Sequence, residues 1–224
     1  DLFRVPRDQA TKFSLMRFIK RGIYYGRILF QPSFFNAQEF REAVDGIVPD
    51  TTIEALKLLF ACNAAHLHTG EEKLFRSGSL RQAVMASSAI PGIFPPVVIG
   101  GDTYIDGGWV DPIPVRAARE LGADFVIAVD VSYHVRSASA FQRGFSVVNR
   151  GVEIKTHRLI EMSRVLADVV VRVEVDDMGW ADFARVREII SRGETAARAA
   201  IDEMSGKIFR EKWKKRIPFR DQLL

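Results

Sequence analysis

Apolar positions recur at helical and extended spacing along most of the chain, and the spacing divides it into short elements. Residues 9–30 set Phe13, Leu15, Met16, Phe18, Ile19, Ile23, Tyr24 and Tyr25 among Lys12, Arg17, Lys20, Arg21 and Arg27. Two readings stay open for this segment: a helix packing its stripe on the core, or one lying on an anionic membrane surface. Asn36 followed by Glu39 is a capping-box pattern and predicts a helix to about Val44. Leu56–Cys62 reads as a strand, Thr69-Gly70-Glu71 as a turn and Lys73–Arg76 as a further extended piece. Leu80–Ala89 reads as a helix that must stop before Pro91, whose ring removes a donor and biases Ile90 out of the helical region. Val97–Ile105 predicts a hairpin turning at Gly100-Gly101.

The second half alternates helix and strand. Asp111 to Gly122 predicts a helix, with Asp111 as N-cap, proline in the first turn and Gly122 just past the end. It feeds Phe125–Val129, an apolar run that reads as a buried parallel strand. Residues 132–144 read as a mobile loop, Val147–Leu166 as a helix, Ala167–Val175 as a strand, and Asp182–Met204 as a helix ending near Gly206. The whole is an α/β pattern with room for one sizeable core, so a single domain over 1–224 is expected. A helical cap within 1–48 and a basic tail over 205–224 complete the division.

Within this frame Asp106 stands out. It ends the run Thr103-Tyr104-Ile105 and two glycines follow, Gly107 and Gly108, so a tight turn is expected to leave a carboxylate at a strand end. In α/β proteins that position is where ligands and chemistry are held. Ser87, Ser88, Pro91 and Asp111 are expected to line the same site. Neither serine suits the role of nucleophile, because a helix C-terminus presents carbonyls where an oxyanion needs amide donors. Should the Asp111 carboxylate approach Asp106, like-charge repulsion would raise the latter's pKa.

Other chemistry-bearing residues change the picture little. Cys62 reads as a small buried apolar residue, and as the only cysteine it rules out an internal disulfide and fits a reducing compartment. His66 and His68 share a strand face but have no third ligand at recognisable spacing, so no metal site is expected. Asp130 precedes Val131-Ser132 and lacks the second carboxylate of an aspartyl phosphotransferase, which leaves it bonding loop amides at a strand end. The glycines do not form Gly-x-Gly-x-x-Gly, which disfavours a dinucleotide site. With 32 basic and 28 acidic residues the net charge is +4, too balanced for a dedicated nucleic-acid binder. No apolar run approaches the ~20 residues needed to cross a bilayer.

The block Ala86-Ser-x-Ala-Ile-Pro-Gly-x-Phe-Pro-Pro96, then Asp106-Gly-Gly, then Pro112-x-Pro-Val115, then Leu121-Gly-Ala-Asp-x-Val-Ile-Ala-Val-Asp130, resembles the C-terminal part of bacterial patatin-like phospholipases. The likeness is dense through residues 69–131 and looser to the end, where Ala167–Val171 and Ile190–Ala197 fit the family's last strand and helix. It implies a three-layer α/β/α fold with a mostly parallel central sheet, and hydrolysis of lipid or other acyl esters by a Ser-Asp dyad with no cofactor. Asp106 is the residue that carries over as the dyad carboxylate. The family's Gly-x-Ser-x-Gly elbow and oxyanion loop do not: no serine here has glycine both two before and two after it, and no glycine-rich run precedes residue 90. The expectation is therefore that the nucleophile lies outside these residues, in a segment missing from the N-terminus, and that this chain alone is inactive. The alternative is a catalytically inactive lipid-binding or regulatory module. Two departures stand out: His66 and Asp111 occupy positions where the family often has aspartate and asparagine respectively. The implied location is cytoplasmic and peripheral at the inner membrane surface.

Overall fold

A computed structural model describes residues 33–132, 144–178 and 185–216. The chain forms two compact units, Asp1–Val110 and Asp111–Leu224. The amphipathic segment at 9–30 lies outside the described residues, as do most of the 132–144 loop and the tail beyond Arg216.

The first unit opens with helix α1, Ala37–Asp45. Its start is fixed as the sequence predicts: the Asn36 side chain accepts the N–H groups of Gln38 and Glu39, and the Glu39 carboxylate accepts the Asn36 N–H. Phe40 and Val44 carry its buried face, packing with Met85 and Ala89. Strands β1 (Cys62–His66) and β2 (Glu72–Phe75) form an antiparallel hairpin, and helix α2 (Leu80–Ser87) follows, capped by Ser79. Strands β3 (Val97–Ile99) and β4 (Asp102–Asp106) pair through the expected turn, with Gly100 and Gly101 both at positive φ. The sheet order is β2-β1-β4-β3, so β4 is paired on both sides. Beneath it Ile53, Ala64, Phe75, Leu80, Ala83, Ala86 and Tyr104 form the core.

One expected strand is displaced. Leu56–Ala61 is not a strand: a 3₁₀ turn occupies Ile53–Ala55, the Leu56 N–H closes onto the Ile53 carbonyl, and pairing begins only at Cys62. The apolar run misled because Leu58 and Leu59 point to solvent, 81% and 83% exposed, while the small Ala64 and Ala65 are the buried pair.

The second unit contains helix α3 (Val115–Glu120), strand β5 (Ile127–Asp130), helix α4 (Gly144–Arg164), strand β6 (Val169–Arg172) and helix α5 (Val186–Arg216). β5 and β6 pair in parallel, as the long helical connection between them requires. The α/β class holds, but the four-stranded sheet of the first unit is antiparallel rather than mostly parallel, and among the described strands β5 and β6 pair in parallel. Three expectations are corrected. Helix α3 begins at Val115 and not near Asp111, because Pro114 holds the chain at φ −77°, ψ 59° and no side chain caps it. β5 is covered on one face only, with Ala128 and Asp130 buried and Ile127 and Val129 exposed. α5 runs through Gly206, where Lys207 donates to the Asp168 carbonyl and pairs with Glu203, outweighing the ~1 kcal/mol that glycine costs in a helix.

Charged groups fasten this unit. The Asp168 carboxylate accepts the Val126 N–H at 2.7 Å and the Arg119 guanidinium at 2.5 Å. Burial alone would raise that carboxyl, but these donors outweigh it and hold it below its ordinary value. Asp130, 1% exposed, accepts from the Ser132 N–H and hydroxyl and is paired with Arg164. It bonds the loop amide that the sequence assigned to it.

Candidate active site

Asp106 closes the central strand of the first unit. Its Cα stands opposite Ala64 on β1, and its N–H donates to the Ala89 carbonyl at 3.1 Å. Two neighbouring segments therefore hold its backbone: a core strand, and the Ala89-Ile90-Pro91 connection that leaves α2. That connection is pinned in turn by Ser88, whose hydroxyl donates to the Val84 carbonyl at 2.6 Å, and by Phe34 and Phe35, whose N–H groups donate to Gly92 and Ile93.

The side chain is fixed just as locally. Asp106 caps a 3₁₀ turn over Gly107–Trp109, and its Oδ1 accepts the Gly108 N–H at 2.8 Å. Among the described residues no second donor reaches the carboxylate. Burial pushes its pKa up from the ordinary value, and the Gly108 N–H acts against that rise. The result is a half-buried acid, oriented through one oxygen, whose ionised form is only partly compensated.

The two glycines are needed for space and not for a left-handed turn. Neither has a positive φ. A Cβ on Gly107 would lie 2.4 Å from both the backbone oxygen and the side-chain oxygen of Asn63, and one on Gly108 would lie 3.2 Å from Asp106 Oδ1. The reason for the glycines differs from the one read in the sequence: Gly107 is confined by Asn63 on β1, more than forty residues earlier in the chain, and Gly108 by the Asp106 carboxylate to which it donates.

Asn63 is the neighbour of this turn that the sequence reading missed. It is 7% exposed, sits one residue before the partner of Asp106, and its Nδ2 donates to Glu72 Oε1 at 3.0 Å. The available signal was an amide placed inside the apolar run Phe60-Ala-Cys-Asn-Ala-Ala, a residue type rarely buried without a partner.

The other candidate residues divide between the units. Ser87 hydrogen-bonds the Cys62 thiol, which burial drives up to about 11, so Cys62 is a thiol and not a thiolate at neutral pH. Asp111 belongs to the second unit and accepts the Ser163 hydroxyl at 2.8 Å. The Nδ1 of His66 accepts the Thr69 N–H, while its Nε2 lies 3.5 Å from Asp102. Among the described residues no group of three or more His, Cys, Asp or Glu could hold a metal ion.

In chemical terms the arrangement offers a carboxylate poised to accept a proton from a group delivered to its free oxygen. Comparison with known proteins identifies the family. The family model for patatin-like phospholipases matches residues 6–119, just over half of the chain, and includes α2, the hairpin and Asp106. Lysophospholipase NTE1 of Debaryomyces hansenii is 26% identical over 86% of this chain and 14% of its own length. Lysophospholipase NTE1 of Phaeosphaeria nodorum is 28% identical over 72% of this chain and 12% of its own. An uncharacterised NTE family protein of Mycobacterium tuberculosis is 32% identical over 59% of this chain and 35% of its own. The chain thus spans about a seventh or less of the two fungal relatives. With the family model covering the Asp106 turn and everything that positions it, the chain belongs to the patatin-like phospholipase family.

Proposed function

We propose that the protein containing this chain hydrolyses lipid acyl esters, with Asp106 as the carboxylate of a Ser-Asp dyad. The observation that carries the reading is the Asp106 carboxylate itself: half-buried, raised in pKa, bonded through one oxygen to Gly108 and open at the other. In the acylation step the serine oxygen attacks the ester carbonyl as Asp106 takes the hydroxyl proton, and that proton then passes to the departing alcohol. Water attacks the acyl-enzyme with Asp106 again accepting a proton, which returns to the serine as the acid leaves. Even when raised, a carboxylate is a weak base toward an alcohol, so amide donors to the oxyanion and close positioning must supply most of the rate.

No serine of this chain stands in Gly-x-Ser-x-Gly, so the nucleophile is assigned to sequence beyond these residues. In the full-length gene product Asp106→Asn is expected to lower turnover of a short-chain nitrophenyl ester or a lysophospholipid by about 10²-fold or more, with the fold retained. Near-normal turnover by that variant removes the assignment. A lipid substrate is met at an aggregate surface, and the basic, aromatic pattern of residues 9–30 and 209–220 supports docking on anionic lipid.

A further inference from the structure

We propose that Asn63, locked by Glu72, is a positioning residue for Asp106: it forms the surface on which the Gly107-Gly108 turn is seated and so sets where the Gly108 N–H points. The inference rests on the Ser-Asp reading for its catalytic consequence but on geometry alone for its structural one. Both oxygens of Asn63, main-chain and side-chain, lie where a Cβ on Gly107 would have to go, so the glycine Cα is seated directly against the amide. The amide cannot readily rotate away. It is buried on β1, and its Nδ2 is held at 3.0 Å by the carboxylate of Glu72 on β2. Gly107 is buried too, so the turn has packed atoms on the side facing β1 and no room to sink without displacing Asn63.

The consequence reaches the acid through a single hydrogen bond. Asp106 Oδ1 accepts from Gly108, the residue directly after the seated glycine. A shift in that seat moves the Gly108 N–H relative to the carboxylate, and a carboxylate without its donor ionises less readily. A catalytic group held by a supporting contact of this kind loses rate steeply when displaced, on the order of 10- to 100-fold for a misplacement near 1 Å.

The test uses the full-length protein with three variants, Asn63→Leu, Glu72→Leu and Glu72→Gln, and two readouts. The first readout is kcat and KM on a nitrophenyl ester. The second is the titration of the Asp106 carboxyl by carbon NMR after aspartate labelling, with Asp106→Asn identifying the signal. Asn63→Leu and Glu72→Leu are expected to lower kcat by about tenfold or more with KM little changed, and to move the Asp106 titration to higher pH. Glu72→Gln, which keeps an acceptor for Asn63, is expected to restore most of both. If Asn63→Leu fails to fold, Asn63→Ser removes the same contact with less strain. An Asp106 titration and a kcat that stay put in folded Asn63 variants overturn the proposal. If instead Asp106→Asn itself proves active, the dyad reading fails, and the titration alone still decides whether Asn63 positions the acid.

Discussion

At the scale of single residues, the Asp106 carboxyl is held in a place that disfavours its ionised form. It titrates higher in the folded chain than in the unfolded one, because burial penalises the charge more than the Gly108 N–H relieves it. The sign follows: below the unfolded pKa both states are protonated and nothing is lost, while above the folded pKa the native state carries an ionised group it would rather hold neutral. Asp106→Asn keeps an oxygen for Gly108 and removes the charge. Its melting temperature, measured against that of the parent chain, is therefore expected to gain more at pH 7 than at pH 3.5. An equal difference at both pH values would show that the acid is not penalised by its surroundings.

Elements are held less by their propensities than by a few partnered charges at their ends. The link between β5 and α4 is the clearest case, since Asp130 at the end of the strand is almost wholly buried and Arg164 in the last turn of the helix faces it. Removing one member of a buried pair leaves the other charged and without its counter-ion, which typically costs 3–5 kcal/mol, whereas an exposed pair is worth about 1 kcal/mol or less. Arg164→Met is accordingly expected to cost about 3 kcal/mol or more in urea unfolding. Arg116→Ala, which removes an exposed i,i+4 pair with Glu120, is expected to cost less than 1 kcal/mol. Similar losses for the two would mean that Asp130 is compensated by other groups.

Across the whole molecule, the net charge of +4 is modest, but its basic residues are grouped with aromatics in the patterns at 9–30 and 209–220. Lipid-surface docking of that kind is electrostatic in its first stage and screened by salt. Residues 1–224 are expected to pellet with vesicles containing phosphatidylserine at low ionic strength, to be released by about 0.5 M salt, and to ignore zwitterionic vesicles. Binding that is indifferent to both lipid charge and salt would remove the surface reading. Among the described residues no helix is long and apolar enough to cross a membrane.

The sequence by itself determined whatever depends on neighbours a few positions apart. The Asn36 capping box, the Gly100-Gly101 hairpin, the stop of α2 before Pro91 and the carboxylate at the end of β4 all follow from local sterics and local hydrogen bonds, which a short stretch of residues carries entirely. Tertiary structure decided what depends on distant partners. Leu58 and Leu59 looked like a strand until the core selected Ala64 and Ala65; α5 passes Gly206 because Lys207 is anchored near β6; and Gly107 must be glycine because Asn63 occupies the space a side chain would need. Packing and desolvation act through space, so a residue's role at the Asp106 site is set by which strand lies beside it, and that is known only when the sheet has formed.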